Sequence, residues 1–97
     1  MNIVIISGEI ATKTEFKFIY DKFKIDSNKE KYKHVSIAKC KIKLENKNIV
    51  EIYGYDDIAD IMYKNLKIDD RLVLTGTLDN DGKIEVCELE IICYHFS

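Results

Sequence analysis

Lys39, Lys41 and Lys43 fall at alternate positions of the run His34 to Leu44. In an extended chain alternate side chains leave from one face, about 6.6 Å apart. Three ammonium groups at that spacing can follow a row of phosphates. Lysine outnumbers arginine fourteen to one. A point charge suits a phosphate, whereas bidentate reading of a base edge prefers the guanidinium. The chemistry on offer is therefore anion contact without sequence reading. The same ladder also reads as a solvated face, or as the charge that guards a strand edge.

Other chemistries find no foothold. Cys40, Cys87 and Cys93 are an odd count with no C-x-x-C pair, and each lies in a β-like apolar run. They read as buried, reduced thiols of a cytoplasmic protein. His34 and His95 are the only histidines and have no metal-ligand spacing with a cysteine, so no metal and no cofactor are expected. No G-x-S-x-G, P-loop or H-E-x-x-H pattern occurs. Asp56, Asp57 and Asp60 cluster, but helix capping explains the first two, and no catalytic pair is visible.

The charge is segregated along the chain. Residues 13 to 47 hold eleven lysines and five acids, a local charge of +6, and residues 48 to 97 hold four basic residues and eleven acids, a local charge of −7. The net charge of −2 excludes a uniformly basic nucleic-acid binder but not a locally basic one. With 46% apolar and 33% charged residues, the 97-residue chain has the proportions of one globular domain. No apolar run approaches the roughly 20 residues of a membrane span. The opening Met1 to Gly8 lacks a basic segment and reads as a strand, not a signal peptide.

The elements that must carry these residues are mostly strands. Asn2 to Ala11 is β-rich, with Gly8 marking a bend. Glu15 to Tyr20 puts Phe16, Phe18 and Tyr20 on one face, which reads as core, and Lys17 on the other. The polar stretch Asp21 to Lys33, with Asp26-Ser27-Asn28 as turn chemistry, reads as an exposed loop. Its lysines, Lys22, Lys24, Lys29, Lys31 and Lys33, read more readily as solubility than as a site; Lys33 is nevertheless counted with the candidate site. In His34 to Leu44 the apolar phase changes from Val35 and Ile37 to Cys40, Ile42 and Leu44, which predicts a bulge near Ala38-Lys39. In Ile49 to Tyr55, Val50, Ile52 and Gly54 face inward, while Ile49, Glu51, Tyr53 and Tyr55 share the outer face. Asp56-Asp57 then cap a helix whose apolar positions are Ile58, Ile61, Met62 and Leu66. Arg71 to Leu78 is a strand, Asn80-Asp81-Gly82 a hairpin turn, and Lys83 to Phe96 a final strand with a bulge after Val86. Five curling strands with one short helix between the third and fourth describe an all-β oligonucleotide/oligosaccharide-binding (OB) barrel over residues 1–97. A plain sandwich is the rival, and the place of the helix argues against it.

At this point the chain resembles the bacterial single-stranded-DNA-binding protein family and its small primosomal relatives. Asn2 to Ile10 is similar to that family's opening strand, and Glu15-Phe16-Lys17-Phe18 to its acidic-apolar-basic-aromatic step. Tyr55-Asp56-Asp57-Ile58-Ala59-Asp60, then Leu66-Lys67 and Asp70-Arg71-Leu72, resemble its helix and following turn without a gap. Leu74-Thr75-Gly76-Thr77-Leu78 matches the next strand. The resemblance implies single-stranded DNA, or RNA, as partner. It puts Tyr55 where a base stacks and Lys17 at a basic position beside the strand, and it implies a homodimer through the first strand, with a tetramer in some members. Tyr53, on the face of Tyr55, joins it as a stacking candidate, although Glu51 on that face would repel phosphate. Tyr55 also fits an ordinary half-buried strand position.

The departures carry information. The chain has no tryptophan, and Ile49 stands where one would fall. Asp69 replaces the glycine of the turn, which Asp tolerates in a left-handed conformation. The family's long hairpin arm between the last two strands is cut to Asn80-Asp81-Gly82. The resemblance reaches Ser97 without the family's glycine-rich linker and acidic tip, which suggests a small accessory or mobile-element protein instead of a replication hub. Two functions stay open: sequence-independent single-strand binding, and an OB module for protein contact or self-assembly that has lost DNA. An enzyme or small-molecule binder has the least support.

Overall fold

A computed structural model describes the backbone of residues 2–26 and 31–92, and the side chains of 2–19 and 35–92. The elements run β1 (Ile3–Ile10), β2 (Glu15–Asp26), β3 (Lys31–Lys43), β4 (Ile49–Tyr55), α1 (Asp56–Asn65), β5 (Arg71–Leu78) and β6 (Ile84–Ile92). Strands neighbour one another in the order β1-β5-β6-β4-β3-β2, and β1 also pairs with β3. That second pairing, Glu9 with Lys43 and Ile10 with Ile42, closes the sheet into a five-stranded barrel. β1 and β2 are the two halves of one bent barrel strand, the first pairing mainly with β5 and the second with β3. The helix therefore sits between the third and fourth barrel strands, and the topology is that of an OB fold.

Alternation builds the core. Ile10, Ile42, Ile52, Leu72, Leu74 and Met62 are fully buried, and Ala38, Cys40, Ala59, Ile84 and Val86 pack with them. The helix plugs the barrel with Ala59 and Met62, while Ile61 stays 41% exposed. Gly54 lets the helix sit down on β4: a Cβ there would lie 2.3 Å from Ile58 Cγ2 and 3.1 Å from Met62 Sδ. The turn after the helix is tied to the end of β1 by Asp69 N donating to Ile10 O and Ile10 N to Asp70 O, both 2.8 Å. Asp69 takes the left-handed conformation there, at φ 76°.

Several expectations are corrected. Of the stretch expected as a loop, Asp21 to Asp26 is the end of β2 and Lys31 to Lys33 the start of β3, paired through Asp21–Lys33, Ile25–Tyr32 and Asp26–Lys31 with a register shift between; Ser27 and Asn28 of the expected turn lie outside the described residues. The lysines and turn residues of the stretch outweigh its one short alternation, Lys22-Phe23-Lys24-Ile25-Asp26, which is the strand signal there. The bulge expected near Ala38-Lys39 is absent; register runs unbroken from Ile37 to Lys43 against β4. Val35, Ser36, Ile37 and Ala38 are instead all buried, because both faces of β3 are covered there. Asp56 and Asp57 do not cap through their side chains. Tyr55 holds the N-cap position, and the aspartates lie in the first turn, where they face the positive end of the dipole. Phe18 is 68% exposed, so the Phe16/Phe18/Tyr20 stripe is not simply core; the side chain of Tyr20 lies outside the described residues. Cys87 is exposed, unlike buried Cys40, because it is the extra residue of the bulge expected after Val86: Thr75 pairs with Glu88 and Gly76 with Val86. Cys93, His34 and His95 have side chains outside the described residues. Among the described residues no helix is long and apolar enough to cross a membrane.

Gly54→Ala is expected to cost about 1–3 kcal/mol, the usual penalty for overpacking, because the new methyl must displace Ile58 or Met62. Denaturant unfolding measures it, with Ala59→Gly, which makes space in the helix instead, as the contrasting variant.

Candidate nucleic-acid interface

Paired residues on adjacent strands share a face, so the registers define the outer surface of the barrel. Against β4, Ile37 faces Tyr55, Lys39 faces Tyr53, Lys41 faces Glu51 and Lys43 faces Ile49. Against β2, Lys17 faces Ile37 and Glu15 faces Lys39. Lys17, Lys39, Lys41, Lys43, Tyr53 and Tyr55 therefore lie on one continuous face. The side chain of Lys33 lies outside the described residues; its backbone belongs to β3. The link between β1 and β2 is bonded to the middle of the ladder. Lys41 N donates to Thr12 Oγ1 at 2.9 Å, and Lys41 O accepts from Ala11 N at 2.8 Å.

The two tyrosines form an edge-to-face pair, centroids 5.8 Å apart and planes at 81°. With Ile37, Lys39, Glu51, Asp79, Asp81 and Lys83 they line a depression of about 160 Å³. Tyr55 is 37% exposed. Tyr53 is more enclosed, and its hydroxyl donates to Asp79 Oδ2 at 2.9 Å. Partial burial, then the Asp79 hydrogen bond and charge, push its phenol well above the ordinary value. Asp79 organises the β5–β6 turn. Its Oδ1 accepts from Asp81 N at 2.8 Å and Lys83 N at 2.9 Å, and Gly82 completes the turn at φ 77°. The Lys83 amide, aided by the Tyr53 hydroxyl and the Asp81 amide, holds the Asp79 carboxyl below its usual value.

Glu51 is not the bare carboxylate that the sequence suggests. Lys83 Nζ lies 3.0 Å from its Oε2, and that contact raises the lysine's pKa. The lysines of β3 thus flank the tyrosines on one side. On the other side are the β6 carboxylates: Glu85 faces Tyr53, and Glu88 and Glu90 continue along the outer face of β6. The segregated charge of the sequence becomes a lateral polarity across one surface.

Asp79, Lys83 and Ile37 belong to this depression and were not among the expected site residues. An acidic residue just before Asn-Asp-Gly signals an Asx turn. Its contact with a tyrosine 26 residues away depends on the β4–β6 pairing, which no local pattern shows. Burial pushes the Cys40 thiol up to about 11, partly opposed by the Thr14 hydroxyl, so it is inert. Among the described residues no three His, Cys, Asp or Glu could hold a metal ion.

Asp79 should contribute stability above the ordinary carboxylate value near ~3.9 and lose it as pH falls through its depressed folded value. The melting-temperature gap between wild type and Asp79→Ala is expected to be widest near neutrality and to shrink below about pH 4. In the same variant the Tyr53 phenol should titrate closer to ~10, read by tyrosinate absorbance.

No protein-family model matches the sequence, and no curated protein does. Solved structures do. A deletion mutant of the single-stranded DNA binding protein from Thermus aquaticus superimposes with TM-score 0.76 at 19% identity, covering 100% of this chain and 43% of that one. The chain thus spans less than half the length of that protein. The SSB domain of a Synechococcus protein gives TM-score 0.67 at 16% identity, covering 92% of this chain and 93% of that one. The small single-stranded DNA-binding protein from Streptomyces coelicolor gives 0.60 at 14%, covering 95% and 96%. Closure, strand order and superposition agree that this chain has an OB fold of the single-stranded-DNA-binding-protein type.

Proposed function

We propose that this chain binds single-stranded nucleic acid, DNA in the first place, without reading its sequence. The observation that carries the reading is the placement of the β3 lysines and the β4 tyrosines side by side on one barrel face. Phosphates track Lys39, Lys41 and Lys43, with Lys17 and Lys33 beside them, and a base stacks on Tyr55. Tyr53, clamped by Asp79, backs Tyr55 and presents less free ring. The fold shared with single-stranded DNA-binding proteins supports a binding role over a catalytic one. A cytoplasmic setting goes with it.

Anisotropy of a labelled ~30-mer oligothymidine tests this. Five phosphate contacts, one for each of these lysines, give a log–log salt slope near −3.5, or about a 130-fold loss between ~50 and ~200 mM salt. Duplex should not compete. Tyr55→Ala is expected to weaken binding by about 1–3 kcal/mol, the worth of one stacked base. Lys41→Glu should weaken it and flatten the salt slope. Absence of binding at ~50 mM salt would overturn the reading and favour an OB module used for protein contact.

A homodimer through β1 has its own support. Among the described residues Ile3 to Ser7 pair with β5 alone, and no described strand covers their other edge. Ile3 and Ile5 are 60% and 73% exposed there. An uncharged open edge invites a second strand. Sedimentation is expected to show a dimer that Ile5→Lys converts to monomer; a wild-type monomer would remove this part, and a tetramer would extend it.

A further inference from the structure

The lysine ladder does not end at Lys43. Beyond it, where β1 meets β3, lies a notch of about 310 Å³, larger than the depression at the tyrosines. Lys43 lines both this notch and the ladder face. Lys47 and Arg71, the only arginine of the chain, line it as well, with Glu9 and Glu45 as the acids. Glu9 is engaged: its Oε1 lies 3.3 Å from Arg71 Nε, an exposed pair. That contact uses the Nε edge of the guanidinium and leaves the terminal nitrogens to another acceptor. Lys47 is placed by the turn after β3, where its amide donates to Leu44 O at 2.9 Å and it adopts φ 66°.

The surroundings restrict the course of a polyanion. The β6 side of the tyrosines carries Glu85 and Glu88, which repel it, while Glu90 pairs with Val73 at the margin of the notch and offsets part of its positive charge. The cationic path runs the other way, along β3. From Ile37 to Lys43 that path measures about 20 Å at the rise of a strand. At its end the next cations are those of the notch.

We propose that the notch is a phosphate subsite of the same track. The bound single strand lies along β3 with its bases toward β4. Its backbone passes Lys43 and enters the notch, where Arg71 and Lys47 each contact a phosphate. This rests on the single-strand reading above, and it assigns that site a direction and a far end. The footprint falls at the low end of the roughly 4–16 nucleotides taken by an OB fold.

The test is the salt slope of oligothymidine binding by the full chain. Arg71→Gln and Lys47→Gln are each expected to make the log–log slope about 0.7 less steep, the loss of one single-strand phosphate contact. Glu9→Gln with Arg71→Gln should do the same, which separates the lost contact from the carboxylate set free. Lys67→Gln, the same charge change on the turn after α1, should leave the slope unchanged. Melting temperatures close to wild type are expected for all, since the Arg71–Glu9 pair is exposed. Wild-type slopes in the Arg71 and Lys47 variants, or an equal change in Lys67→Gln, overturn the subsite while single-strand binding stands. A wild-type chain that binds no oligothymidine overturns both.

Discussion

Two short seams close the barrel, and every placement on its surface depends on them. One joins the end of β1 to β3 through Glu9–Lys43 and Ile10–Ile42. The other joins β4 to β6 in parallel through Ile52–Ile84 and Tyr53–Glu85. Each involves two residue pairs, and each has one residue pointing in and one pointing out. The inward members, Ile10, Ile42, Ile52 and Ile84, are core residues between 0% and 4% exposed. Burial of those four side chains holds the seams, because two pairs of backbone bonds contribute little net stability in water. The outward members are then fixed as neighbours: Glu9 beside Lys43, and Glu85 beside Tyr53.

This geometry turns a linear charge pattern into a lateral one. Lysines concentrated before residue 48 and acids concentrated after it would be separate patches on an open chain. Barrel closure sets them on either side of a tyrosine pair, so a polyanion meets attraction from β3 and repulsion from β6. Two of the carboxylates beside the rings, Glu51 and Asp79, are occupied. Lys83 covers Glu51, and the Tyr53 hydroxyl with two turn amides covers Asp79. A short β5–β6 hairpin thus acts as a clasp over β4, a use different from the long arm that the resemblance associates with this position.

The long hairpin of this chain is elsewhere, between β2 and β3, with strands of 12 and 13 residues. Its base carries Phe16, whose ring lies 5.3 Å from Phe18 and 4.9 Å from Tyr63 of α1. The hairpin is anchored to the helix on the side away from Lys17, which leaves the lysine face open.

Within a strand, local backbone geometry was enough. Alternation put Lys39, Lys41 and Lys43 on one side and Tyr53 and Tyr55 on another strand's outer side, and both assignments hold. The phase change after Val86 located the bulge, and Asn80-Asp81-Gly82 located the turn. These features are legible because side-chain direction follows from a period of two and turns need particular residues. Where lysines and turn residues surrounded a short alternation, as at Lys22 to Asp26, or both faces were buried, as from Val35 to Ala38, the reading went astray. Neighbourhood between strands is a different matter. That Asp79 meets Tyr53, 26 residues away, and Arg71 meets Glu9, 62 residues away, follows from which apolar faces bury one another. Exposed polar partners leave no periodic trace in a sequence; they are brought together by the core beneath them, and only the closed barrel shows where.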